Sequence, residues 1–235
     1  MHNTPAPRKR YLVWSVVLTA CFGACMSGST DKDGSDTGSD DTGEDIVGPR
    51  ETLWDRFPLD GARAWDFVND DASVDFALAV EKTGETAIEG KNVVTLTYTA
   101  VDSDGNSTPL YAVDWSSDAE DGIQIWGWMD FTSDPTAYTP FSPPIQVAKS
   151  EMREGASVVT TTGGVTYTGQ YRGLEDCPNY WSNDTWECVR FELSSDGGGV
   201  PFTGEYWSAV SYGVSRMAPA DGDGTWILSR AEFGR

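Results

Sequence analysis

The run Val94-Thr95-Leu96-Thr97-Tyr98-Thr99 decides the fold class. Apolar residues take every second position and threonines fill the gaps. Successive side chains of a strand point to opposite faces, so this spacing gives one apolar and one polar face. The same alternation recurs on either side. Phe76, Leu78 and Val80 alternate with Ala77 and Ala79. Further on, Val165, Tyr167 and Tyr171 alternate with Thr166, Thr168 and Arg172, and Val189, Phe191 and Leu193 with Cys188, Arg190 and Glu192. Gly, Asp, Asn and Pro punctuate the runs as turn formers. The pattern predicts an all-β domain of roughly eleven to thirteen short strands from about Thr52 to the end, joined by short turns as an antiparallel meander. One apolar face per strand implies a curved sheet, half-barrel or open barrel around one core. The rhythm breaks over Asp130–Ala148, where Pro135, Pro140, Pro143 and Pro144 fall. This predicts a long loop from Trp128 to about Ile145.

The 235 residues carry 37 acidic and 16 basic side chains, for a net charge of −21. Nucleic acid is excluded as a partner, because neutralising phosphates needs clustered Lys and Arg. The single histidine is His2. It falls in a segment read below as removed, so the mature chain lacks Ser-His-Asp and Cys-His catalysis and His-ligated zinc. No cofactor and no metal is expected.

The amino terminus reads as an export signal. Arg8, Lys9 and Arg10 precede a short apolar run, Tyr11 to Thr19, too short for a membrane span of ~20 residues. The run ends in Leu18-Thr19-Ala20-Cys21, which resembles the bacterial lipobox. The resemblance implies cleavage before Cys21 and a diacylglycerol thioether on it, with Cys25 as the alternative site. Neither cysteine is followed by Asp, which by analogy favours the outer membrane or cell surface. Residues 1–20 are then the signal, 21–49 an acidic disordered tether and 50–235 a single β domain. The tether is almost wholly Asp, Gly, Ser and Thr, too polar to offset its ordering entropy. A flexible chain of that length reaches ~30 Å. Asp31–Asp45 hold net −6 and the signal +3, which leaves −18 on residues 46–235.

Within the domain, Cys177 and Cys188 flank a ten-residue loop and read as a disulfide in an exported chain. The loop between them presents Tyr180, Trp181 and Trp186 as a contact surface. In Ile123–Asp130, period-two spacing places Gln124, Trp126, Trp128 and Asp130 on one face and Ile123, Ile125 and Met129 on the other. Trp126 and Trp128 would then form a platform for a sugar ring or an apolar ligand, or pack inside the barrel. Trp207 and Trp226 read as core. The Asp102–Asn106 stretch resembles a calcium loop only in part. Counting from Asp102, positions 6 and 12 are Ser107 and Val113, not Gly and Glu, so a polar turn is expected. Glu81, Glu85, Asp114 and Asp130 could supply a hydrolase pair, but spacing selects none of them and no catalytic residue is assigned.

Three pieces together resemble predicted bacterial lipoproteins of unassigned function. These are Phe57-Pro58-Leu59 followed by Gly61 and Trp65; Pro143-Pro144 leading to Gly155, like a second copy of that opening; and Tyr206-Trp207-Ser208-Ala209 with Tyr212-Gly213-Val214. The resemblance implies an antiparallel half-barrel, comparable with lipoprotein-localisation proteins that cradle acyl chains. The resulting expectation is a lipid-anchored, non-catalytic binding or structural protein, its partners being the membrane through its anchor and a small apolar ligand. The alternatives are a carbohydrate- or protein-binding module and a carboxylate-dependent hydrolase.

Overall fold

A computed structural model describes residues 48–235 apart from 60, 179–184, 198–199, 211, 223 and 234–235. Cys21, Cys25, the tether as far as residue 47, Tyr180 and Trp181 lie outside the described residues. The fold is all-β and antiparallel throughout, as the alternation predicts. A first run consists of the two-residue strand β1 (Glu51–Thr52) and six long strands: β2 (Ala62–Asn69), β3 (Phe76–Ile88), β4 (Lys91–Asp102), β5 (Ser107–Asp118), β6 (Gly122–Asp130) and β7 (Ala137–Ala148). A second run repeats this plan: the two-residue β8 (Glu151–Met152), then β9 (Ser157–Thr162), β10 (Val165–Pro178), β11 (Thr185–Ser195), β12 (Gly204–Ala209), β13 (Gly213–Pro219) and β14 (Trp226–Phe233). β1 pairs with β8. The twelve long strands form one sheet in the order β7-β6-β5-β4-β3-β2-β14-β13-β12-β11-β10-β9.

Two expectations need correction. Several strands are long, with 13 residues in β3 and 14 in β10. The long loop over Trp128–Ile145 is instead the end of β6, a short turn at 131–136, and strand β7. Proline removes a ladder donor but is tolerated on an edge strand, and β7 is an edge. Phe141–Pro144 bulge out of the pairing, whose register jumps from Gly127↔Pro140 to Ile125↔Ile145.

The two edges of the sheet, β7 and β9, meet and nearly close a barrel. Their joint is made by side chains: the N–H of Ser142 donates to Thr162 Oγ1 (3.2 Å) and that of Gln146 to Thr160 Oγ1 (3.0 Å). Further along, β7 overlaps β10, where Gly169 lets the Val147 carbonyl come so near that a Cβ would lie 2.0 Å from it.

A twelve-stranded ring encloses more space than side chains of ordinary size fill. Large aromatics occupy it, including Trp115, Tyr171, Phe67, Phe191 and Phe202, all fully buried. One end is also plugged by backbone. A 3₁₀ turn at Trp54–Arg56 and the following Phe57 sit there, the Phe57 ring 5.1 Å from Trp115 and 5.9 Å from Phe191. Hydrogen bonds fasten the plug. Leu53 N–H donates to Ser150 O (2.8 Å), Ser117 Oγ to Trp54 O (2.8 Å), and Ser208 Oγ to Arg56 O.

Outside the barrel, a second apolar cluster surrounds the Cys177–Cys188 disulfide, with Trp207 and Ala209. Trp226 packs in the main core, whereas Trp207 is buried on the outer surface under Arg190 and Arg216, 5.1 and 4.3 Å from its ring.

Candidate functional site: a cleft at the open end of the barrel

The antiparallel order sends alternate connections to opposite ends. The plug, β8 and both described chain termini share one end. The β2–β3, β4–β5, β6–β7, β9–β10, β11–β12 and β13–β14 connections share the other. There a cleft of about 420 Å³ opens, within the range of small-ligand sites. Its walls come from strand ends: Phe76 and Leu78 of β3, Tyr111 of β5, Met217 of β13 and Trp226 of β14. Val74, Leu110, Val200 and Pro201 line it further out. Four of the twelve long strands, β3, β5, β13 and β14, thus supply its side-chain walls. The Phe76 and Trp226 rings meet at 5.3 Å, tilted by 43°. Tyr111 stacks on Tyr98 at 4.4 Å. Burial pushes the phenols of Tyr98, Tyr111 and Tyr206 well above the ordinary tyrosine range. All three therefore stay neutral and keep their hydroxyl protons. Tyr206 spends its proton on the Phe202 carbonyl. Among the described residues the Tyr111 hydroxyl meets no hydrogen-bond partner. A second void, near Phe57 and Trp65, measures only about 20 Å³, room for about one water.

The charges at this end are of one sign. The β2–β3 connection carries Asp70, Asp71 and Asp75, the β4–β5 turn Asp102 and Asp104, and the β6–β7 turn Asp130 and Asp134. Asp196 and Asp221 follow in the β11–β12 and β13–β14 connections, and Asp221 lines the cleft. None of the six connections contains Lys, Arg or His. The plugged end has Arg56, Lys91, Lys149 and Arg153. Some of these aspartates also build their turns. Asp102 Oδ1 accepts the N–H groups of Asp104 (2.9 Å) and Asn106 (2.8 Å), so this stretch is the polar turn expected. The Asn106 side chain and backbone hold the Asp102 carboxyl below the usual carboxylate range, and the Ser73 N–H does the same for Asp71.

The tryptophans singled out from the sequence do not assemble. An extra residue in β6, at Trp126, shifts the register between Ile125 and Gly127. The bulge puts Trp126 and Trp128 on opposite faces, which corrects the platform reading. Trp126 is buried outside the main core and donates its indole N–H to Ser116 Oγ (2.8 Å). Trp128 joins the core, edge-on to Phe202 at 5.8 Å. Trp186, on β11, stacks on Tyr212 at 4.2 Å.

The candidate carboxylates do not converge either. Asp114 accepts Thr95 Oγ1 (2.6 Å) and Tyr138 OH (2.7 Å), Glu85 pairs with Lys82 (2.9 Å), and Asp130 caps Thr132. Asp118, Glu120 and Asp121 do gather at the plugged end, but the Lys91 ammonium lies among them, 2.5 Å from Asp121. The cleft residues escaped sequence reasoning because Phe76 and Trp226 read as ordinary core. The available signal was position: each is the first residue of its strand and so stands at a rim.

No known protein family, curated protein or solved structure matches the chain.

Proposed function

We propose that this protein is a lipid-anchored binding protein of the cell envelope that holds a small apolar ligand in the open end of its barrel. The observation that carries the reading is the cleft of about 420 Å³, lined largely by apolar and aromatic side chains. The anchor rests on the Leu18-Thr19-Ala20-Cys21 motif. Mid-strand outward positions such as Lys82, Thr97, Arg172 and Glu192 support a barrel standing in water, since a membrane barrel carries an apolar band there. The carbohydrate-module reading loses support because Trp126 and Trp128 are used up in packing.

The test is titration with a neutral apolar dye such as N-phenylnaphthylamine. Saturable one-to-one binding is expected, lost in Val74→Trp or Leu110→Trp variants that fill the cleft while their circular dichroism stays unchanged. Absence of binding, or binding indifferent to both variants, overturns the reading. For the anchor, intact mass spectrometry of membrane-purified protein should give a chain starting at diacylated Cys21. A mass retaining residues 1–20 overturns that part.

A further inference from the structure

An apolar cleft alone does not say what enters it; its rim does. Seven aspartates and no basic residue occupy the described connections at the cleft end, and Asp102 and Asp130 close β4 and β6 beside them, while the bases of the loops collect at the plugged end. Turn formation explains Asp at some of these positions, because its carboxylate caps backbone N–H groups. It does not explain the exclusion of Lys and Arg from all six connections, since exposed turns accept either. Low-dielectric walls focus such a field into the cleft they surround. A carboxylate ligand, a fatty acid included, would enter against that field. A neutral ligand would gain nothing from it.

The inside of the cleft agrees with the rim. Phe76, Tyr111 and Trp226 line the cleft with aromatic rings, the side chains that attract a cation through their quadrupoles. The Tyr111 oxygen, free among the described residues, can accept an N–H. Asp221 is the charged residue on the lining itself. We propose that the cleft selects a cationic amphiphile, a ligand with an apolar body of one or two rings or a short alkyl chain and a protonated amine held at the mouth beside Asp221. This rests on the cleft being the binding site proposed above.

The test compares three probes with one naphthyl body: naphthylmethylamine, naphthylmethanol and naphthoate. Each is titrated calorimetrically into the full-length protein at about 20 mM and about 500 mM salt. The amine should bind about tenfold tighter than the alcohol at low salt, with the carboxylate weakest, and the spread should collapse at high salt. Asp221→Asn should weaken the amine about fivefold, the effect of one charge at contact distance in water, and leave the alcohol unchanged. If alcohol and amine bind alike, or the amine preference survives high salt, the cationic selectivity is overturned while the cleft remains a site. An amine affinity unchanged in D221N overturns its placement at the mouth. If none of the three binds, or Val74→Trp affects none of them, the cleft reading itself fails.

Discussion

The Gln146 N–H and the Thr160 hydroxyl, 3.0 Å apart, hold together two strands that share no ladder. Around the rest of the barrel each strand meets its neighbour backbone to backbone. At this joint the β9 threonines turn their hydroxyls to the facing N–H groups of a proline-bearing edge. Thr160→Val keeps the shape and removes the acceptor. Leaving that N–H without a partner should cost about 1–3 kcal/mol. Hydrogen exchange should locate the loss, with the Gln146 amide exchanging faster while amides of β3 and β4 keep their protection.

Gly169 tests the overlap of β7 on β10. A methyl group there would lie 2.0 Å from the Val147 carbonyl oxygen and 2.7 Å from its carbon, so backbone must move. Gly169→Ala is expected to destabilise by about 1–3 kcal/mol, as overpacking does. Denaturant unfolding should show a lower midpoint with an unchanged slope.

The disulfide is the third element open to test. It closes a loop of sequence separation 11 beside Ser215, whose Oγ lies 3.3 Å from Cys188 Sγ. The chain-entropy argument gives about 3 kcal/mol for a loop of this length. The Cys177→Ala, Cys188→Ala double variant should lose that amount, and the wild type under reductant should match it.

A pH-dependent contribution comes from Glu175. Its carboxylate accepts the Trp207 indole N–H (2.7 Å) and one Arg190 N–H (2.6 Å). The indole bond is the largest cause that holds its pKa below the usual glutamate range; Arg190 adds to it, and burial opposes both. A folded pKa below the unfolded one stabilises fully above the unfolded value and loses that stability as pH falls through the folded one. The difference in melting temperature between wild type and Glu175→Gln should be constant from neutrality to about pH 5 and shrink below about pH 4. A difference that persists at low pH would remove the carboxylate charge from the explanation.

Period-two spacing made the barrel legible because alternation survives in strands such as β4, whose Val94, Leu96 and Tyr98 all face the core. It failed where one residue is inserted. The bulge at Trp126 leaves the composition untouched and reverses every face after it. Prolines misled for a related reason: they mark breaks in central strands but are compatible with the edge that β7 forms. The cleft was not legible at all. Its walls join positions as distant as Phe76 and Trp226, which only ring closure through β2 and β14 brings together. Gly61 precedes β2 as Gly155 precedes β9.

The pairing of β1 with β8 marks a repeat in the topology. Each begins a run of one short and six long strands, and the two meet antiparallel with Glu51 opposite Met152 and Thr52 opposite Glu151. In topology the chain is one unit written twice and closed head to tail. The joints β14–β2 and β7–β9 are then the same contact made twice, laddered once and left to threonine hydroxyls the second time. A single unit would expose two raw edges and could complete the ring only by dimerising with its own copy. The two joints are thus unequal, and the one without a ladder is where β7 carries Pro140, Pro143 and Pro144.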